Sequence, residues 1–315
     1  MDKVTGFIGR VRETEDALDA IRRGSNVLVT GRAGIGKSAF LQHLAKQLRG
    51  RQDGLPFIQV PAGTTKHVLL ETARQLHEQV GLNIPAQQLP PRIAVRAQRQ
   101  GWLSWDDLAR TVRRLSVSDT VDILVPALHK RKLLIVLESL EVPPSQADLF
   151  ARIIDAAQVL AAIDETNRRV RIDRLLWRFS EKIVLKPLPL AECATLIECW
   201  IEHHPVRFSS PRTKAHFIRH VARASGGIPA AIRGMLEAAA AETEITPAKA
   251  RSFHHEASAH YLDMTPVLVI LMVIFLAMRY ISRGLGEMEM LVLSGVASAI
   301  FIGLRFFMFR MSTSR

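Results

Sequence analysis

Residues 27–38 restrict this chain's fold more tightly than any other stretch. Val27, Leu28 and Val29 form an apolar run, and Thr30 leads into Gly31-Arg32-Ala33-Gly34-Ile35-Gly36-Lys37-Ser38. The segment after it, from Ala39 to Leu44, suits a helix. A buried strand, a glycine-rich turn and a new helix in that order predict a loop that wraps phosphate groups. Gly31, Gly34 and Gly36 let the backbone turn and bring its N–H groups close to an anion. Arg32, Ala33, Ile35 and Ala39 contribute backbone to the same cradle. The helix start adds the positive end of its dipole. Lys37 brings a point charge for β- and γ-phosphates, and Ser38 a hydroxyl for Mg²⁺.

Composition fits a folded protein with a sizeable core. The chain has 315 residues, of which 48% are hydrophobic and 23% charged. Its net charge of +12 suits nucleic acid, anionic lipid or acidic partners. The arginines are scattered and no basic–aromatic stripe is present, so the pattern does not favour nucleic acid. The cysteines are Cys193 and Cys199. On one helix they point about 240° apart, so free thiols are expected rather than a disulfide. The polar N-terminus does not read as a signal peptide.

Strand and helix patterns alternate through the first 187 residues. Phe57 to Val60 and Leu133 to Leu137 read as buried strands, and Ile183 to Leu185 as a short one. Thr65 to Val80 and Asp119 to His129 have helical periodicity. Ser104, with Asp107 three residues on, predicts a helix start. Asn83 to Gln100, with Pro85, Pro90 and Pro91, reads as a loop with helical turns. Val159 to Ile163 continues a helix or forms a further strand; the pattern leaves both open. The expected fold is therefore α/β: a parallel sheet of the P-loop NTPase type, with helices on both faces, over residues 1–187. Helical segments from Leu190, broken at Pro205 and at Gly226 to Pro229, predict a small all-α lid over residues 188–242. A juxtamembrane helix or linker follows over 243–263.

Thr265 to Ile281 is apolar but for Arg279, and Met290 to Phe309 is apolar but for Arg305 and some small residues. Each run approaches the ~20 residues a membrane-spanning helix needs. A two-helix transmembrane hairpin is expected over 264–310. It would put the nucleotide-binding part and both termini on the cytoplasmic side of the cytoplasmic membrane. His255-Glu256-Ala257-Ser258-Ala259-His260 is not a zinc site, because its histidines lie five apart rather than four.

A phosphate loop needs an acid at a neighbouring strand end to hold Mg²⁺ and prime water. Leu134 to Glu141 supplies it. Glu138 would orient the metal together with Ser38, and Glu141 is a candidate base or water-positioning group. Here the chain resembles the STAND ATPases, including the NACHT type, and more broadly the Orc/Cdc6-like AAA+ ATPases. Four apolar residues, an acid, a small residue, an apolar residue and another acid form their second acidic motif. Glu138 stands where Asp is usual. Phe7-Ile8-Gly9-Arg10 resembles their Phe-x-Gly-Arg element near the adenine. Ser225-Gly226-Gly227-Ile228-Pro229 resembles the Gly-x-Pro element of their lid, and residues 185–190 resemble their sheet-to-lid junction.

That resemblance implies ATP with Mg²⁺, Lys37 and Glu138 in catalysis, and Ile8, Gly9, Arg10 and Pro229 at the nucleotide. It makes Arg178 a candidate arginine finger and Arg233 a candidate γ-phosphate contact. Asp164 or Asn167 is a candidate sensor if residues 159–163 form a strand. The expected function is a membrane-anchored ATPase that couples Mg-ATP to homo-oligomerisation or to a membrane or cytoplasmic partner. The alternatives are a non-hydrolysing switch or scaffold, and a membrane-perturbing defence effector.

Overall fold

The computed structural model describes residues 7–50, 56–129, 132–165, 173–204, 206–247 and 249, and further on 273, 274, 277, 278 and 280. The chain divides into two compact units, Met1–Ser258 and Ala259–Arg315.

In the first unit, five parallel strands form one sheet in the order β2-β3-β4-β1-β5. They are β1 (Val27–Gly31), β2 (Phe57–Val60), β3 (Leu134–Leu137), β4 (Gln158–Asp164) and β5 (Glu181–Val184). The uncertain run at 159–163 is thus a strand, and it lies between β1 and β3. The residues of β1, β3 and most of β4 are buried, as a sheet covered on both faces requires. Their side chains alternate between two cores. Val27, Val29, Leu134, Val136, Leu160 and Ala162 face one, while Leu28, Ile135, Leu137, Val159, Ala161 and Ile163 face the other.

The first face is covered by α1 (Val11–Arg22) and α2 (Lys37–Arg49). The second face is covered by α3 (Thr65–Val80), α4 (Pro91–Gln100), α5 (Trp105–Arg114), α6 (Val117–His129), α7 (Ala147–Ala156) and α8 (Asp173–Leu176). The expectation of a loop through residue 100 fails at α4. Prolines read as breakers, yet Pro91 opens this helix, where a missing N–H costs nothing. Ser104 and Asp107 form the expected capping box.

Three further helices, α9 (Leu190–His203), α10 (Pro211–Ala224) and α11 (Pro229–Ala240), share the first core with α1 and α2. Phe40 and Phe217, both fully buried, join the two groups in one apolar cluster. Cys193 is buried and Cys199 half-buried on α9, both as free thiols. Burial, and then Glu192, push the Cys193 thiol above its ordinary pKa.

Among the described residues no helix is long and apolar enough to cross a membrane. The hairpin expected over 264–310 lies outside the described residues, except for the few positions between 273 and 280. There Val273, Ile274, Met278 and Tyr280 are helical and exposed. The histidine pair at 255 and 260 also lies outside them.

Candidate functional site

The carboxyl ends of β1, β3 and β4 bring the candidate site residues together. Beyond β1 the chain turns through Gly34 (φ 75°) and Gly36 (φ 94°), a left-handed region that favours glycine. Ile35 is buried and pins the loop from beneath, while Arg32, Ala33 and Gly34 are exposed above it. The amino end of α2 has no side-chain cap and no acid in its first turn. Its leading N–H groups are therefore open to an anion.

Lys37 lies back across this loop. Its Nζ donates to Gly31 O at 2.8 Å, Arg32 O at 2.9 Å and Asp164 Oδ2 at 3.3 Å. Three donors thus meet three acceptors. The Lys37–Asp164 pair is largely shielded, at 14% and 19% exposure. Asp164 ends β4 and faces the phosphate loop, where a sensor group was expected. Asn167 lies outside the described residues.

Glu138 follows β3 and is half-buried. Gln59 Nε2 from β2 donates to its Oε1 at 3.1 Å, and Gln42 Nε2 from α2 approaches the same oxygen at 3.4 Å. Gln42 is one helical turn beyond Ser38, so the exposed Ser38 hydroxyl and Glu138 border the same space. Among the described residues only amide side chains hydrogen-bond to this carboxylate, which leaves it able to take a cation. Among the described residues no three His, Cys, Asp or Glu side chains cluster to hold a metal alone. A Mg²⁺ that arrives with phosphates needs only one or two protein groups, and Ser38 with Glu138 fits that requirement. Glu141 is exposed and accepts from Ser139 Oγ at 3.2 Å.

Two segments clamp the phosphate loop from the sides. Phe7 stacks on His43 of α2 at 4.2 Å, which holds residues 7–10 against that helix. Arg10 is buried, with a left-handed backbone at φ 59°. Such a conformation costs of order 1–3 kcal/mol in a residue other than glycine. Arg10 offsets it by donating from Nη2 to Ile35 O at 2.6 Å, a charged bond of about 1.5–3 kcal/mol. Burial lowers the Arg10 pKa, opposed by Glu13 and then Glu192. Its Nη1 is buried and has no hydrogen-bond partner among the described residues, a donor that a ligand acceptor can satisfy.

The second clamp is the start of α11. Ala230 N donates to Gly34 O at 3.1 Å. Cβ atoms built on Gly34 and Gly36 would lie 2.8 Å from Ala230 Cβ and 3.8 Å from Pro229 Cγ. Gly227 lies so close to Leu188 that a Cβ there would meet Leu188 O at 2.5 Å. Arg233 is one turn past Pro229 on the same helix, exposed, with Glu237 at 3.8 Å.

The structure thus brings Ile8, Gly9, Arg10, residues 31–39, Glu138 and Pro229 to one end of the sheet. It does not bring Arg178 there. Asn26 Nδ2 donates to Arg178 O at 3.2 Å, just before β1, and the Arg178 side chain pairs with Asp155. Arg178 is thereby at the amino end of β1, about 13 Å of strand away from Gly31. Sequence reasoning missed Gln42, Gln59 and Glu192. A Cβ on Gly9 would come within 2.0 Å of Glu192 Oε2. Lone glutamines in a strand and a helix give no signal until the sheet register joins them.

Residues 6–177, more than half of the chain, match the AAA ATPase domain family. No curated protein matches. Among solved structures, the chain is similar to the Orc1 protein of Aeropyrum pernix in complex with DNA. The identity is 17%, covering 90% of this chain and 73% of that one, with a TM-score of 0.50. It is also similar to a Walker-type ATPase of Pyrococcus abyssi at 12% identity, over 86% and 74% of the two chains, TM-score 0.45. For the RuvB Holliday junction branch migration motor of Thermotoga maritima the identity is 16%, over 89% and 83%, TM-score 0.41.

Proposed function

This chain belongs to the AAA ATPase domain family, and from that premise we propose that it is a membrane-anchored, ATP-driven switch. The observation that carries the reading is the direct seat of α11 on the phosphate loop, through the Ala230–Gly34 hydrogen bond. Phosphates bound to the N–H groups of the loop would shift the backbone whose Gly34 carbonyl Ala230 holds, so nucleotide state and the position of α9–α11 are linked. These helices act as the lid. Lys37 leaves Asp164 and the two carbonyls for the β- and γ-phosphates. Ser38 and Glu138 would hold Mg²⁺, which would supply charge neutralisation for attack of water on the γ-phosphate. Glu141 positions that water, and Arg233 reaches the γ-phosphate as α11 moves. Arg178, at the far end of the strands, serves a neighbouring copy in a homo-oligomer. Arg10 Nη1 completes its hydrogen bonding at the nucleotide.

The anchor is the hairpin over 264–310, with the ATPase on the cytoplasmic side. The exposed apolar side chains of Val273, Ile274 and Met278 on helical backbone support it. Full chain reconstituted in nanodiscs tests the activity. Wild type should release phosphate from ATP, and Lys37→Ala should lose about 100-fold or more of that rate. Equal rates would sink the reading. Tight ATP binding with no phosphate release favours the non-hydrolysing switch. Its support is the acidic strand end, where Ser139 follows Glu138 and Glu141 is exposed.

A further inference from the structure

The two amides that meet Glu138 use only its Oε1. Its Oε2 has no hydrogen bond among the described residues. The carboxylate is therefore placed only as well as the nearer of those amides, that of Gln59. Gln59 is itself held twice, once by its backbone and once by its side chain.

The hold on the backbone comes from α3. β2 is an edge strand of the sheet. Its neighbour β3 takes up the carbonyls of Pro56 and Val60, through Leu134 N and Glu138 N, each at 3.0 Å. Alternate residues of a strand turn their N–H and C=O groups to opposite sides, so Phe57 and Gln59 face away from β3. Gln75 of α3 closes the edge at Gln59. Its Oε1 accepts from Gln59 N at 3.1 Å, and its Nε2 donates to Gln59 O at 2.8 Å. One amide side chain thus stands in for a further strand. Gln75 Nε2 also donates to Glu71 Oε1 at 2.7 Å, and Arg74 binds both oxygens of Glu71. That carboxylate accepts only, so it fixes which end of the Gln75 amide carries the donors. Gln79 has a plainer place on the same edge, where its Nε2 donates to Phe57 O at 3.2 Å.

The hold on the side chain comes from α2. Gln59 and Phe57, two residues apart, share the face of β2 that meets this helix. Arg49, the last residue of α2, lies over the Phe57 ring at 5.1 Å and donates from Nη2 to Gln59 Oε1 at 3.4 Å. The Gln59 amide therefore has a guanidinium at its oxygen and a carboxylate at its nitrogen. Arginine offers donors alone, and an ionised glutamate acceptors alone. A flipped amide would set oxygen against the Glu138 carboxylate and N–H against the Arg49 guanidinium. Only one orientation satisfies both neighbours, and it is the one that donates to Glu138.

We propose that Arg49 and Gln75 are positioning residues for Glu138. Acting through Gln59, they hold the carboxylate by Oε1 and keep Oε2 free for Mg²⁺. This rests on the Mg-ATP reading of the site and adds to it two residues that touch neither nucleotide nor metal.

ATP binding to the full chain in nanodiscs, titrated at a series of Mg²⁺ concentrations, tests it without reliance on turnover. Gln59→Met should raise the Mg²⁺ needed for half of the metal-assisted binding about tenfold, as the loss of a hydrogen-bond partner of a metal ligand does. Arg49→Met and Gln75→Leu should each raise it about three- to fivefold, the effect of one hydrogen bond. ATP affinity without metal should not change. Arg49→Lys keeps a donor and should restore most of the wild-type value. In a Gln59→Met background neither Arg49→Met nor Gln75→Leu should add to the shift, because both act through Gln59. Gln79→Leu opens the same edge without a link to Glu138 and should leave the Mg²⁺ requirement as it is. A Gln79→Leu shift equal to that of Gln75→Leu overturns the proposal, since closing the edge would then be all that Gln75 does. So do Arg49 and Gln75 variants that match wild type while Glu138→Gln needs more Mg²⁺, a result that leaves the nucleotide reading intact. Wild-type ATP binding that ignores Mg²⁺ overturns both.

Discussion

The phosphate loop and the acidic strand end are held in opposite ways. The loop is fixed by backbone and by packing: Gly34 and Gly36 set its turns, Ile35 is buried, Arg10 bonds the Ile35 carbonyl, and Ala230 bonds the Gly34 carbonyl. Among the described residues Glu138 rests on two amide side chains, from Gln59 and Gln42, and Glu141 on Ser139 alone. Preorganised backbone loses little freedom when phosphate binds, whereas a carboxylate on long amide side chains still has to be placed. On the proposed function, binding is therefore built into the fold, and turnover would depend on the less constrained end.

The largest effect expected from this contrast is on turnover. Glu138→Gln should leave ATP affinity within about threefold of wild type and lower phosphate release by about 100-fold, the range for a group that acts in the chemical step. Glu141→Gln should cost less than about tenfold, because its carboxylate is exposed and turned to Ser139. Single-turnover phosphate release with separate binding titrations measures both. If Glu141→Gln is the more damaging, Glu141 rather than Glu138 is the priming acid, and the contrast has been drawn at the wrong residue.

A smaller effect tests the rigidity of the loop. Gly34 and Gly24 share a left-handed backbone, at φ 75° and 79°. A Cβ on Gly34 would meet Ala230 at 2.8 Å, whereas one on Gly24 meets nothing within 4 Å. Gly24→Ala should therefore cost only the conformational term, about 1–2 kcal/mol. Gly34→Ala should add the displacement of α11. At about 2–4 °C per kcal/mol, thermal melts resolve the two. Equal shifts would mean that α11 yields freely and that the loop is less tightly clamped than its contacts indicate.

The phosphate loop was legible because its glycines, lysine and serine act through local backbone. The strands at 27–31, 57–60 and 134–137 were legible as buried runs with clear ends. The strand at 158–164 was not, because a short buried run has no period to distinguish it from a helix. α4 was hidden because Pro90 and Pro91 read as breakers, although Pro91 occupies a first helical position. At the site, Asp164 was visible only on condition that its run proved to be a strand. Gln59 reaches Glu138 because β2 pairs with β3 in the register Val60 to Leu137. No local pattern encodes that register. That Arg178, the candidate arginine finger, lies at the amino end of the strands was hidden for the same reason: which end of the sheet it occupies is set by topology.

The smallest effect concerns the clamp at Phe7. His43 stacks on that ring and shares a 2.9 Å hydrogen bond with Gln47. Burial, and then the charge of Lys46, lower its pKa below the ordinary histidine value. The unfolded chain then takes up the proton more readily than the folded one. His43 therefore contributes stability above about pH 6.5, and that contribution is lost as the pH falls through the histidine range. Protonation weakens the seat of Phe7 and, through residues 7–10, the Arg10 bond to the loop. Wild type should lose melting temperature and ATP affinity between about pH 7.5 and pH 5.5, and His43→Gln should lose less of both. If stability falls in His43→Gln as it does in wild type, other groups govern the acid response. If stability falls but affinity holds, the loop keeps its shape without the Phe7 clamp, and the Ala230 side alone accounts for its rigidity.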